Sequence, residues 1–353
     1  MIKGRGSSNN PQNPFSKDQY QEDPEFLEHQ QSIGEDPQAD QKTTYTLVDA
    51  KSIVNPVHSP DIGHKWSLNP YQGCEHGCSY CYARNSHTYW SMNAGLDFER
   101  KIMVKQNAPV LLRKHFDKKS WQGEAIMLSG NTDCYQPLER RFGITRELLK
   151  VFLEYRNPVG IISKNALMER DLDILEEMGK YGLVKVAISL NSLDENLRRK
   201  LEPRTASAKK RLQLISKLSE RRIPIMVMAA PIIPGLNSHE IFEIAKASAE
   251  AGAQDISYIM VRLNGQLQEI FNPWLENHYP DRAEKVRSLI RQTHAGQLND
   301  SQFGRRMKGS GQVAEQIQQS IKLAKKKFFP NPQKVEYNQS LFRRMPGGQY
   351  NLF

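Results

Sequence analysis

Three of the chain's four cysteines fall within eight positions of one another: Cys74, Cys78 and Cys81 of CEHGCSYCYAR. A CxxxCxxC spacing lets three thiolates wrap one soft metal centre without donors from distant parts of the chain. Two centres suit that donor set. Zinc wants a fourth ligand, for which His76 and Cys134 are the candidates in reach. An iron–sulfur cluster commonly takes four cysteines; with three, one iron keeps an open site that a small molecule can chelate. The competing possibility, three unrelated buried thiols, sits poorly with so tight a grouping. Four cysteines in 353 residues do not make a disulfide framework. The cluster therefore points to metal chemistry in a reducing compartment, which predicts a cytoplasmic protein.

A loop of this kind needs a scaffold, and the flanking sequence supplies one. TYTLVDAKSIV reads as a lead-in strand. Beyond the cysteines, apolar runs alternate with amphipathic stretches. Strands are expected at 125–130, 159–164, 183–190, 223–233 and 255–263. Helices are expected at 145–156, capped by Thr145, at 165–178, stopped by Gly179, at 206–222, and at 238–251 with Gly252 past its end. Strands separated by helices pair in parallel through right-handed crossovers. With a strand just before the cysteines, this makes about six β/α units, fewer than a closed eight-fold barrel needs. The expected fold is α/β, a partial (β/α)6 barrel over 44–267, with an open doubly wound sheet as the alternative.

The ends differ in character. Residues 1–43 carry four Lys/Arg against eight Asp/Glu and few apolar side chains, so a disordered acidic tail is expected, with at most a short helix near Asp23–His29. Residues 268–353 carry 14 Lys/Arg against 7 Asp/Glu. They are expected to form a helical basic extension, with helices over 282–293 and 312–328 and an exposed C-terminal tail. The longest nearly apolar run, Ile223–Leu236, is 14 residues long and broken by three prolines, too short to span a bilayer. The N-terminus lacks a signal peptide's apolar core.

The run NPYQGCEHGCSYCYAR, with Tyr80 just before the third cysteine and β/α alternation after it, resembles the radical S-adenosylmethionine (radical SAM) superfamily. Within that superfamily it looks like the spore-photoproduct-lyase-like branch, the DNA repair photolyase-like proteins, over about Trp66 to Leu263. The resemblance implies that Cys74, Cys78 and Cys81 hold a [4Fe-4S] cluster and that S-adenosylmethionine chelates the open iron. One electron, from a donor such as flavodoxin or ferredoxin, then cleaves the cofactor to a 5'-deoxyadenosyl radical that abstracts a substrate hydrogen. Ligands of parallel α/β folds gather at the C-terminal strand ends. There the resemblance places Ser129, Gly130, Asn131 and Thr132 near the methionine amino group, although the family's usual Gly-Gly-Glu is absent. Lys164 and Arg204 are matched to the methionine carboxylate, and Ser189 and Asn191 to the ribose. Ile233 and Gly235, in PIIPGLN, are matched to the adenine. Tyr82 is expected over the cofactor. Met226 and Met228 alternate along a strand and are expected in the core.

Photoproduct lyases carry a hydrogen-donating cysteine near the second strand end. The matching position here is Gly130, and Cys134 lies four residues on, with Tyr135 beside it. Cys134 is thus either a displaced hydrogen donor, with Tyr135 as its neighbour in catalysis, or a buried inert thiol. The net charge is +10, and phosphate contacts come from Lys and Arg. A nucleic-acid substrate is therefore expected, with Lys209, Lys210, Arg211, Arg305, Arg306 and Lys325 to Lys327 as candidate contacts. The C-terminal Gln349-Tyr350-Asn351-Leu352-Phe353 is similar to a bacterial sliding-clamp peptide, which favours DNA. The alternatives are an enzyme of the same chemistry acting on a protein or small molecule, and a non-catalytic metal-cluster module on nucleic acid.

Overall fold

The computed structural model describes residues 4–16, 42–331 and 336–345. Its strands are short and apolar where parallel pairing buries both faces. β1 (Thr44–Val48), β4 (Tyr71–Gln72) and β5 (Lys101–Lys105) form a small side sheet in the order β1-β5-β4. The main sheet holds β2 (Val54–Pro56), β3 (Trp66–Leu68), β6 (Ile126–Leu128), β7 (Val159–Ser163), β8 (Val184–Ser189), β9 (Ile225–Ile232) and β10 (Asp255–Met260). Its order is β10-β9-β8-β7-β6-β3-β2. Every neighbour pairing from β3 to β10 is parallel, and β2 is an antiparallel edge on β3. Six parallel strands make the expected partial barrel, with β3 as the first; the short β4 of the side sheet lies between it and the cysteines. The lead-in strand at Thr44 forms, but in the side sheet.

The crossover helices bury apolar stripes on this sheet: Leu148, Leu149 and Phe152 from Ile144–Glu154, Leu175 and Met178 from Leu172–Lys180, Leu214 and Leu218 from Ala208–Glu220, and Ile244 and Ala245 from Ile241–Glu250. Two boundary signals act differently from expectation. Thr145 lies inside its helix, with its hydroxyl on the Cys134 carbonyl at 2.6 Å, and Gly143 caps instead. Gly179 does not stop its helix, which runs to Lys180. Ser207 and Asn165 do cap, their side chains accepting from Lys210 N and Leu167 N.

β10 and β2 are the free edges of the sheet. Asp61, on the turn between β2 and β3, accepts from Gly304 N at 2.6 Å and pairs with Arg306 at 2.5 Å. Met307 O accepts from Met260 N at 2.9 Å. The extension thus closes the open side of the barrel. Its helix Gln312–Phe328 also places Ile317, Ile321 and Ala324 in the main core.

Both ends require corrections. Residues 4–16 are not a free tail but pack against the cysteine loop; residues 17–41, with the helix expected near Asp23–His29, lie outside the described residues. The C-terminal segment is not wholly exposed either. Phe342 packs against Phe116 and covers Gly123. Arg343 N donates to Tyr155 O at 3.0 Å. Gln349–Phe353, the sliding-clamp-like peptide, lies outside the described residues. Among the described residues no helix is long and apolar enough to cross a membrane.

Candidate active site

The cysteine loop leaves β4 and enters the 3-10 helix Tyr82–Trp90. Cys74 and Cys78 are buried and Cys81 is half-buried. Backbone bonds fix their spacing: Cys74 N to Phe98 O at 2.8 Å, Ser79 N to Leu201 O at 3.0 Å, Cys81 N to Cys78 O at 3.3 Å. The fully buried Arg84 guanidinium donates to Cys78 O at 2.9 Å. Gly77, at φ +66°, takes the left-handed turn between the first two cysteines.

Charged groups then knit the loop to the strand ends. Asp133 accepts from Ser163 Oγ and Lys164 N, both at 2.8 Å, and faces His76 Nδ1 at 3.4 Å. Burial alone would raise the Asp133 pKa, but His76 and Lys164 hold it well below the usual carboxylate range. Burial likewise pulls His76 down, yet Asp133 and Cys74 carry it up to about 9. Lys164, at the end of β7, is lowered by burial and more than restored by Cys78, Glu202 and Asp133. It keeps its charge beside the thiols. Tyr80 donates to the fully buried Glu202, which pairs with Arg211 at 2.5 Å. Asp133 and Glu202 are the site groups that the motif leaves unmarked, because their roles arise only when three strand ends meet.

Several expected residues hold the loops rather than face a ligand. Ser129 Oγ donates to Thr132 O at 2.7 Å, and Thr132 Oγ1 donates to Tyr71 O at 2.7 Å. Ile233 N and O bond within its own turn, to Asn237 Oδ1 and to Leu236 N. The Ile233 N–H is thereby used within the chain and is not free for an adenine. Gly235 turns toward Leu289 and Val286 of the extension. Arg204 pairs with Glu75 at 3.6 Å and lies beside Gly4. Cys134 is fully buried in the main core, its pKa pushed up by that burial, so no thiol faces an open pocket there. Tyr135, also fully buried, donates to Asp171 at 3.1 Å. The pair therefore supports the inert reading over hydrogen donation.

Others do gather at the strand ends. Tyr82 is half-exposed and donates to Gly130 O, joining the cysteine helix to the end of β6. Asn131 Nδ2 reaches Ser86 Oγ at 3.0 Å. Ser189 ends β8 and Asn191 lies two residues past it; Asn191 is 1% exposed with neither side-chain polar atom bonded. A buried amide without partners is costly, and a cofactor hydroxyl would satisfy it. Arg211 is corrected: it is buried, donating to Ser189 O at 2.8 Å, and is no surface contact. Lys325 pairs with Asp255 at the start of β10, the opposite end of the barrel from the cysteines.

The donor set decides the metal. His76 is engaged by Asp133 and Asn165, and Cys134 is in the core. Among the described residues no three His, Cys, Asp or Glu side chains converge on a single ion. Three thiols on one loop fit a [4Fe-4S] cluster with one open iron.

A parallel partial barrel with a three-cysteine loop after its first strand defines a class of cofactor-dependent enzyme folds, and comparison with known proteins identifies the class. Residues 68–247 match the family model of the radical SAM superfamily. The chain belongs to that superfamily, whose cofactors are a [4Fe-4S] cluster and S-adenosylmethionine. An uncharacterized Mycobacterium tuberculosis protein is 31% identical over 72% of this chain and 76% of its own. An uncharacterized Methanocaldococcus jannaschii protein is 29% identical over 68% of this chain and 85% of its own. Among solved structures, spore photoproduct lyase complexed with dinucleoside spore photoproduct matches with a TM-score of 0.61 at 15% identity, covering 87% of this chain and 92% of that one. That likeness supports the fold.

Proposed function

We propose that this chain cleaves S-adenosylmethionine reductively and acts on a nucleic acid. When bound, the cluster and S-adenosylmethionine supply one electron and a 5'-deoxyadenosyl radical able to take a substrate hydrogen. The chain's own residues do the rest. Cys74, Cys78 and Cys81 hold the cluster. Lys164 keeps a positive charge next to it, suited to the methionine carboxylate. Asn191 offers a desolvated amide to the ribose. Tyr82, bonded to Gly130 O at the end of β6, is placed to lie over the cofactor.

The observation that carries the nucleic-acid reading is a set of exposed rings on and against the helix that follows Cys81. Tyr82, Tyr89 and Trp90, all on the helix that follows Cys81, are at least half exposed, and the exposed Phe15 stacks on Tyr89 with centroids 5.1 Å apart. Such rings stack on unpaired bases. Arg262, near Tyr82 and Arg306, adds positive charge at the same end of the barrel. Spore photoproduct lyase, whose fold this chain shares, is complexed in its structure with a dinucleoside spore photoproduct, which fits this reading. An acidic one-electron donor such as flavodoxin or ferredoxin, in a reducing cytoplasm, completes it.

The test pairs two assays on anaerobically reconstituted protein. Wild type should form 5'-deoxyadenosine with dithionite and bind single-stranded DNA or RNA. Phe15→Ala, Tyr89→Ala and Trp90→Ala together should cost about tenfold or more in nucleic-acid affinity, since each stacked base contributes ~1–3 kcal/mol. Absence of nucleic-acid binding by wild type removes the substrate class, and absence of 5'-deoxyadenosine removes the chemistry.

A further inference from the structure

Residues 4–16 are polar and glycine-rich, yet they are pinned on the cysteine loop. The anchor is Glu99, a fully buried carboxylate. Ser7 N donates to its Oε1 at 2.9 Å and Gly6 N to its Oε2 at 3.2 Å. Arg84 Nη2 meets Oε1 at 2.5 Å, and the same guanidinium holds Cys78 O. Arg5 Nη1 donates to the Glu99 carbonyl at 2.9 Å. A continuous chain of bonds therefore runs from the segment through Glu99 and Arg84 to a cysteine of the loop.

Two facts make this contact more than incidental. An ideal Cβ on Gly6 would lie 1.6 Å from Gly77 O, so the two backbones cross where only glycine fits. Among the described residues three groups donate to the buried Glu99 carboxylate, and two of them are backbone amides of the segment. Without them Oε2 would lose its donor and the Arg84 guanidinium alone would offset the buried charge. The far end is fastened as well. Asn13 Nδ2 donates to Thr88 O and Met92 O, both at 2.9 Å, and Asn9 Nδ2 to Glu269 O at 3.1 Å.

We propose that residues 4–16 are a clasp on the cysteine loop, with Glu99 as its positioning residue. The clasp fixes the loop before the cluster is present and shields the cluster's outer side from water and dioxygen. The inference rests on membership of the superfamily and not on the nucleic-acid reading.

Gly6→Ala adds one methyl on the clasp alone and leaves the barrel sequence intact; deletion of residues 2–16 is the second variant. In the metal-free protein, amides of Glu75–Tyr80 should exchange with deuterium at least about tenfold faster in both, since local opening no longer breaks charge-assisted bonds. In reconstituted protein, the cluster's visible absorbance should bleach in air at least about tenfold faster, and its midpoint potential should move positive as water reaches it. Ser8→Ala, on the same segment, should behave as wild type. A wild-type value for any of the three quantities in both variants overturns the proposal.

Discussion

Arg211 offers a sharp test of how the site is held. By position it sits in a basic run on a helix, but its guanidinium is 1% exposed and makes four bonds. They reach Ala206 O at 2.9 Å, Ser189 O at 2.8 Å, Glu202 at 2.5 Å and Thr205 Oγ1 at 2.6 Å. Arg211→Met keeps much of the volume and strips the buried Glu202 of its paired cation, leaving Lys164 and the Tyr80 hydroxyl to offset the charge. Breaking a buried pair from one side costs about 3–5 kcal/mol, a large part of the roughly 5–15 kcal/mol that holds a protein folded. Urea unfolding of the reduced, metal-free protein measures it. Glu202→Gln in the Arg211→Met background should recover at least about 1 kcal/mol, because the stranded charge is gone. The pH dependence has a definite sign. Burial would raise the Glu202 pKa, but Arg211 and Lys164 hold it below its ordinary 4.5. Its contribution is therefore complete above that value and is lost as pH falls through the depressed one. Arg211→Met should shrink this acid-side loss, leaving only the part that Lys164 and Tyr80 sustain. Because Tyr80 donates to Glu202 from between Cys78 and Cys81, amide exchange in the cysteine loop should rise as well. The reasoning fails if Arg211→Met costs under about 1 kcal/mol, or if Lys209→Ala with Lys210→Ala costs as much, since both lysines are exposed.

Three further outcomes are expected. Replacing Cys74, Cys78 or Cys81 by Ala should prevent assembly of a four-iron cluster, and iron and sulfide counts after anaerobic reconstitution measure it; a full complement in any of the three would refute the ligand assignment. Asn191→Leu should weaken S-adenosylmethionine binding about tenfold or more by equilibrium dialysis while leaving the urea midpoint unchanged or higher, because the amide it removes is buried without partners. Unchanged affinity would show that Asn191 does not meet the cofactor. Asp61→Ala frees Gly304 and leaves Arg306 only its bond to Ser59 on this turn, so limited proteolysis should cut within residues 299–308 several times faster than in wild type; equal rates would mean that the closure of the barrel does not depend on this carboxylate.

The barrel is legible in the sequence because parallel strands buried on both faces must be short apolar runs, as in Val159–Ser163 and Val184–Ser189. The cysteine loop is legible because its ligands are local. Helix Leu267–His278 is hidden by Pro273 within it, which argues against a helix interior. Here the helix survives because Phe271, Trp274 and Leu275 are buried against the second core cluster. The helix Gln312–Phe328 reads as a basic amphipath, but its apolar stripe is a wall of the barrel core rather than a separate domain.

The parts of the site that the sequence hides share one cause: each depends on a long-range partner. The apparent phosphate contact Arg211 becomes structural once Glu202 is buried beneath it. Ser129 and Thr132 look like ligand-binding hydroxyls at a strand end, but Ser129, at φ +80°, bonds Thr132 O within the tight turn, and the Thr132 hydroxyl bonds Tyr71 O of β4. Composition alone makes residues 4–16 look unstructured, since they bury almost no apolar surface. Their order comes from backbone amides meeting one buried carboxylate 92 and 93 positions away. A polar segment can therefore be ordered without a hydrophobic face of its own, provided that the folded body presents a buried charge needing its amides. In this chain that charge sits one arginine away from a cluster cysteine. The polarity that makes the segment look dispensable in sequence is what lets it fasten to the cysteine loop.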